Sequence, residues 1–376
     1  MNSIPYGTQY LDQEDIDAVT EVLKSDYLTT GPMITEFETK LCEAMGANYA
    51  VAVSSGTAAL HLSAITSGLG VGDEVIVSPL TFAASANCAL YVGARPVFAD
   101  IAPDTLLMNI EDVQRKITRK TKAIVCVHYG GELCDMDAYK ALAKKYSLRL
   151  IQDAAHSLGG TIRGKAQGGY PGMQVWSFHP VKTITTGEGG AVTTNDEVEY
   201  KTLLRLRSHG ITRDTGQYSH QEAGEWYYEM LDLGFNYRIT DIQCAIGVSQ
   251  LRKLPQFAKR RAEIVNQYNE AFAKLPVQLQ ASPSWSDAVR HIYTIRVADP
   301  VQRRTVFDSL RANGIGVNVH YIPVYWHPYY EKLGYVKGLC PNAEDAYSRL
   351  ITLPLYPALK EDQVTYVIKS VENAVS

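Results

Sequence analysis

Apolar positions along the chain follow two periods. Ile16, Val19, Val22 and Leu23 recur at helical spacing behind Asp12, a residue suited to an N-cap, and predict a helix over 13–25. A second helix is expected over 33–46. Short apolar runs and helical stretches then alternate. Residues 49–53 read as a strand, 57–65 as a helix, 74–78 as a strand and 82–90 as a helix. Residues 97–101 read as extended, 122–127 as a strand, 136–146 as a helix and 148–152 as a strand. Two further strands, 174–178 and 191–194, and a helix over 239–252 complete this series. Near-continuous apolar strands separated by helices belong to a mostly parallel sheet covered on both faces.

Beyond it the rhythm changes. A helix over 255–273, a strand over 291–297, a helix over 301–313 and an extended run over 316–320 come first. An amphipathic helix around Val364, Val367, Ile368 and Val371 ends the chain. The expectation is a large α/β domain over 1–252, with the N-terminal segment, and a smaller α+β domain over 253–376. The polar and aromatic stretch 213–231 reads as a long loop or hairpin, a kind of segment that often serves function or an interface.

Composition narrows the class. Of 376 residues, 46% are apolar and 20% charged, which suits a folded enzyme rather than a disordered chain. A net charge of −4 argues against a nucleic-acid binder. Cys42, Cys88, Cys126, Cys134, Cys244 and Cys340 form no CxxC pair. A zinc ribbon or a disulfide framework is not expected, and a cytoplasmic setting is. The first residues carry neither a basic nor an apolar leader pattern. Tyr49–Gly72 contains no charged residue, but Ser54, Ser55, Gly56 and Thr57 break the run. It reads as strand, turn and helix, not as a membrane span. The nine histidines show no ligand spacing, so no metal site is expected.

In a parallel sheet, ligands gather beyond the carboxyl ends of the strands. After 49–53 comes Ser54-Ser55-Gly56-Thr57-Ala58. Gly56 permits close backbone approach, and a helix starting at Thr57 offers free N–H groups to an anion. The same turn also serves as a plain N-cap. After 148–152 comes Asp153, a carboxylate suited to a ring cation or to a structural salt bridge. After 174–178 comes Lys182, followed by the Gly187-Glu188-Gly189-Gly190 turn. A desolvated lysine there is a nucleophile toward aldehydes; an exposed loop lysine is the other reading. Together, an anion cradle, a carboxylate and an amine meet three demands of pyridoxal 5'-phosphate. Phe82 is placed to stack on its ring.

The blocks SSGTAALHL, SPLTFAASAN, DAAHSLGG, SFHPVKTITTGEGGAVTTND, LRSHG, GFNYRITDIQCAIG and VHYIPVY resemble the DegT/StrS-type nucleotide-sugar aminotransferases over nearly the whole chain. The resemblance implies the fold-type I, aspartate aminotransferase-like architecture of PLP-dependent transferases. It also implies roles. Lys182 matches the lysine that binds the cofactor and shuttles the proton. Asp153 matches the carboxylate on the pyridinium nitrogen. Gly56, Thr57, Ala58 and Ser177 match the phosphate site. Phe82 and Ala155 match the groups on the two ring faces, and His156 one near the phenolic oxygen. Asn236 matches an asparagine delivered by a second subunit, so a homodimer with shared sites is implied. Lysine rather than histidine at 182 favours transamination over dehydration.

Within the family the similarity is strongest to the branch that aminates C4 in pseudaminic acid synthesis. It rests on Ile4-Pro5-Tyr6, the run from Ser25 to Gly31, SFHPVKTITTGEGG and VHYIPVY. That similarity implies a UDP-linked 4-keto-6-deoxy-N-acetylhexosamine as amino acceptor and L-glutamate as donor. Tyr6, Asp26, Tyr27, Leu28, Thr29, Val319, His320, Tyr321 and Ile322 would line the sugar-nucleotide site, with His179 nearby. Arg238 is read either as the glutamate carboxylate's partner or as an interface ion pair. The alternative within the family is amination at C3 or C4 of another nucleotide-linked keto sugar, such as a dTDP sugar. A nicotinamide enzyme is a poorer reading, because the glycine cluster Gly68-Leu69-Gly70-Val71-Gly72 precedes a strand instead of following one. A non-enzymatic sensor on the same fold lacks any appended DNA-binding segment.

Overall fold

The computed structural model describes residues 3–220 and 224–375. Residues 221–223 of the 213–231 stretch lie outside it. Seven strands form the large sheet, in the spatial order Tyr49–Val53, Gly190–Thr194, Met173–Ser177, Arg149–Asp153, Thr121–Val127, Glu74–Val77 and Arg95–Phe98. Only Gly190–Thr194 runs antiparallel to its neighbours; the other pairs in the sheet are parallel. The strands are buried almost throughout, as their uninterrupted apolar sequences require. The carboxyl ends of Tyr49–Val53, Arg149–Asp153 and Met173–Ser177 therefore meet the amino end of Gly190–Thr194 along one edge.

A second, three-stranded antiparallel sheet pairs Val277–Leu279 with Tyr293–Val297 and that strand with Leu350–Leu353. Its core gathers Ile264, Tyr268, Phe272, Ile295, Ile351, Leu353, Val364 and Val367. The extended run expected at 316–320 does not become a strand of this sheet. Asn318 makes only an isolated bridge to Thr352, and Leu350–Leu353 fills the sheet position instead. Ile4 also joins this second core, through a parallel bridge to Ile315. A Cβ at Gly316 would meet the Ile4 carbonyl oxygen at 2.9 Å, so glycine lets the N-terminal segment lie this close.

The two helices expected over 239–252 and 255–273 are one, Asp241–Phe272, and the 252/253 division falls inside it. Its start is a capping box: Thr240 Oγ1 accepts from the Gln243 N–H, and Gln243 Oε1 accepts from the Thr240 N–H. Pro255 removes a backbone donor. Packing overrides that loss, because Leu251, Leu254 and Phe257 bury in one core and Ile264, Tyr268 and Phe272 in the other. Helices Ile110–Lys116 and Glu197–Arg207 were not expected; each begins on a side-chain cap, from Asn109 and Asp196. The described residues at the two ends of the 213–231 stretch are brought together where Ile211–Thr212 pairs with Glu229–Met230. Among the described residues no helix is long and apolar enough to cross a membrane.

Candidate active site

A cavity of about 800 Å³ opens where the strand ends of the large sheet face the second sheet. That size suits a cofactor plus a substrate. The large sheet contributes Ser54, Ser55, Gly56 and Thr57, then Thr81 and Phe82, then Asp153, Ala155 and His156, then Ser177, His179 and Lys182. His291, Val319, His320 and Tyr321 close it from the other side, and Tyr6 enters behind Ile4.

The anion cradle is built by local rules. Helix Gly56–Thr66 starts at Ser55, whose hydroxyl accepts from the Ala58 N–H at 3.1 Å. The first turn otherwise points its backbone donors at the cavity. A Cβ at Gly56 would press on Ser177 Cβ at 3.0 Å, so the space beside the Ser177 hydroxyl exists because residue 56 is glycine. Gly190 is tighter: a Cβ there would overlap the backbone of Ser55 and Gly56.

Asp153 ends its strand inside the protein. Its Oδ2 accepts from Ser85 Oγ at 2.6 Å and its Oδ1 from the Ala155 N–H at 3.2 Å. Burial raises its pKa, against the lowering effects of Ser85, the Ala155 amide and the Lys182 charge. Lys182 stands on a braced turn. Its N–H bonds the His179 carbonyl, Thr185 Oγ1 and the Thr186 N–H both bond the Phe178 carbonyl, and the Phe178 N–H bonds Gly189. Burial brings the Lys182 ammonium down to about 8, although Asp153 pulls the other way. An amine this close to neutrality is an available nucleophile.

These groups fit pyridoxal 5'-phosphate. The Gly56–Thr57 turn and Ser177 are available to its phosphate, Asp153 to its ring nitrogen, Lys182 to its aldehyde. Phe82, 61% exposed, lines the cavity and is available to the cofactor ring. A model of the DegT/DnrJ/EryC1/StrS aminotransferase family matches residues 9–372. The chain belongs to that family. It is a sugar aminotransferase that uses pyridoxal 5'-phosphate. It is 40% identical over 380 residues to the spore coat polysaccharide biosynthesis protein SpsC of Bacillus subtilis, covering 99% of this chain and 97% of SpsC. Among solved structures, the PLP-form of the putative sugar aminotransferase Spr1654 from Streptococcus pneumoniae superposes with a TM-score of 0.92 at 31% identity, over 99% of this chain and 98% of that one. PseC of Helicobacter pylori, an aminotransferase involved in pseudaminic acid biosynthesis, gives 0.92 at 33% identity, over 100% and 99%. The fold-type I architecture expected from the sequence is the one found.

Not every expected residue reaches the cavity. Ala58 is buried behind the turn. Asp26, Tyr27, Leu28, Thr29 and Ile322 are exposed and line no part of it within this chain. Asn236 is also exposed and outside, and Arg238 sits on a backbone bridge to Val53. Conversely, Ser85, His291, Asn318 and Glu188 were not singled out. Ser85 lies within the SPLTFAASAN block, but nothing in its spacing tied it to Asp153. His291 read only as the start of a strand.

Proposed function

We propose that this enzyme moves the amino group of L-glutamate to C4 of a UDP-linked 4-keto-6-deoxy-N-acetylhexosamine, in pseudaminic acid-type biosynthesis, as a cytoplasmic homodimer. The observation that carries the reading is the placement of the Lys182 amine in a cavity shared with Asp153 and walled by Tyr6, His320 and Tyr321. Likeness to PseC supports the sugar class.

When bound, pyridoxal 5'-phosphate supplies the reactive carbonyl and the electron-accepting ring. The chain's own residues do the rest. Asp153, as a carboxylate, holds the ring nitrogen protonated. The Gly56–Ala58 turn and Ser177 anchor the phosphate, and Phe82 and Ala155 hold the ring's faces. Lys182 would be the base that takes the proton from the donor's α-carbon and gives it to the cofactor carbon, and in the second half-reaction it would move a proton the opposite way, onto the acceptor's C4. Tyr6, Val319, His320 and Tyr321 line the sugar's approach, with His179 at the mouth.

A second copy completes the site in this reading. Leu233 is 81% exposed and Trp226 74%, and Asn236 is exposed as well; large apolar side chains left in water suit a surface that a partner covers. Asp26–Thr29 and Asn236 then serve the neighbouring cavity. Arg238 makes no ion pair among the described residues, which leaves it for the glutamate carboxylate or for the partner.

One observation favours a second reading. The 40% identity to SpsC points toward other polysaccharide precursors, and so toward C3 or C4 amination of another nucleotide-linked keto sugar, such as a dTDP sugar. The first test is the absorbance of PLP-loaded protein before and after L-glutamate. Bleaching of the visible band is expected. A band that glutamate leaves unchanged overturns the donor assignment. Product NMR with the UDP and dTDP keto sugars then decides carbon and nucleotide.

A further inference from the structure

Three of the imidazoles that line the cavity are His156, His291 and His320. His156 has both ring nitrogens engaged. Its Nδ1 accepts from the Gly130 backbone N–H at 3.3 Å, and its Nε2 lies 3.1 Å from Tyr321 Oη. A backbone N–H can only donate, so Nδ1 carries no hydrogen. A neutral imidazole with a bare Nδ1 holds its hydrogen on Nε2. That N–H then donates to Tyr321, which uses the phenol oxygen as acceptor. The phenol's own hydrogen finds no acceptor among the described residues. Tyr321 lines the cavity, and its ring lies 6.2 Å from that of Phe82.

We infer that Gly130, His156 and Tyr321 form an oriented hydrogen-bond chain that makes Tyr321 an obligate donor to an acceptor oxygen of the bound reactants. The direction is imposed from the backbone outward. The inference rests on the aminotransferase reading only for which reactants enter the cavity.

Two further observations agree. Burial holds His156 well below its ordinary pKa, and the nearby Lys182 charge adds to the effect, so the ring stays neutral. Burial likewise pushes the Tyr321 phenol well up, so it keeps its hydrogen. His291 braces the arrangement: its ring centroid is 4.6 Å from that of His156, and its backbone N–H donates to the Gly130 carbonyl at 3.0 Å. Gly130 is thus held by its carbonyl while its N–H sets His156.

The acceptor oxygen belongs either to the cofactor's phenolic group or to the substrate. In a two-step exchange both substrates present their reacting carbon at the same place, so the amino donor reports for both. Tyr321 acts here as a positioning residue, and no proton is transferred along the chain.

The test uses full-length protein loaded with pyridoxal 5'-phosphate, as wild type, Tyr321→Phe, His156→Gln and His156→Phe. Each is titrated with pH while its visible band is followed, then mixed with L-glutamate. If the acceptor is the cofactor's oxygen, Tyr321→Phe shifts the titration midpoint by about one pH unit, equivalent to a tenfold change. If it is the substrate's, the midpoint stays and the rate constant for bleaching per unit glutamate falls about tenfold. His156→Phe reproduces the Tyr321→Phe loss, and His156→Gln, which keeps a donor toward Tyr321, falls between wild type and His156→Phe. A Tyr321→Phe protein matching wild type in both readouts overturns the inference, as does a His156→Phe protein matching wild type. Wild type that glutamate does not bleach, beside a shifted Tyr321→Phe midpoint, overturns the glutamate reading and leaves the oriented chain standing.

Discussion

Ser85 Oγ lies 2.6 Å from Asp153 Oδ2, beneath the cavity floor. Thr81 Oγ1 backs Ser85 at 2.7 Å. A hydroxyl donating to a buried carboxylate is one of the stronger kinds of hydrogen bond, about 1.5–3 kcal/mol. Ser85 therefore keeps Asp153 ionised against the desolvation that raises its pKa. Ser85→Ala should cut turnover by about tenfold or more. It should also move the acid limb of the pH–rate profile to higher pH. An unmoved limb in Ser85→Ala would refute this coupling.

Lys182→Ala should abolish turnover while leaving the circular dichroism of the fold intact. Wild-type-like turnover would remove Lys182 from the chemistry. The lowered pKa also predicts how apo-protein captures pyridoxal 5'-phosphate. Its rate should rise with pH as the neutral amine appears, and level off above about 8. Stability carries the matching sign. Between about 8 and the ordinary value of 10.5 the unfolded chain holds the Lys182 proton and the folded chain does not. Stability of the apo-protein should therefore gain from Lys182 as pH rises through this window, and Lys182→Met should lack that gain. Denaturant titrations of both proteins at pH 7.5 and 10, roughly the ends of the window, would measure the difference.

Gly190→Ala should loosen the phosphate cradle. The added methyl collides with the backbone of Ser55 and Gly56, not with a side chain that can swing away. Overpacking of this kind costs about 1–3 kcal/mol. Equilibrium dialysis should show pyridoxal 5'-phosphate bound about tenfold or more weakly. Unchanged affinity would mean that the turn can move without loss.

Glu132 and Arg290 form a buried ion pair, Oε1 to Nη2 at 2.6 Å, between a turn of the large-sheet region and the entry to the second sheet. Ser282 Oγ also donates to Glu132 Oε1 at 2.6 Å. Glu132→Ala leaves a buried guanidinium without its anion, a loss of about 3–5 kcal/mol. Urea denaturation would read it as a lower midpoint. A midpoint equal to wild type would show that Gln280, which also bonds Arg290, suffices.

Leu233→Asp tests the proposed dimer. Sedimentation of wild type should give twice the chain mass, and the variant should shift toward monomer and lose activity together. A monomeric, fully active wild type would end the shared-site reading.

Most of the strands around the large sheet were legible in the chain, because buried parallel strands must be apolar on both faces, but the short helices Ile110–Lys116 and Glu197–Arg207 were not. Lys182, Asp153 and Gly56 read as candidates for the same reason: Gly56 and Lys182 follow strands, Asp153 ends one, and strand ends converge. What escaped depended on contacts between segments far apart in sequence. Pro255 argued locally for a break, yet burial on both sides of it keeps Asp241–Phe272 one helix. Residues 316–320 read as extended, but beside Leu350–Leu353 they make only the single bridge of Asn318 to Thr352. Ser85 beneath Asp153, and His156 between Gly130 and Tyr321, have no periodic signature. Hydrogen bonds across more than sixty residues exist only once the fold has brought their partners within 3 Å or so, and that is a property of packing, not of pattern.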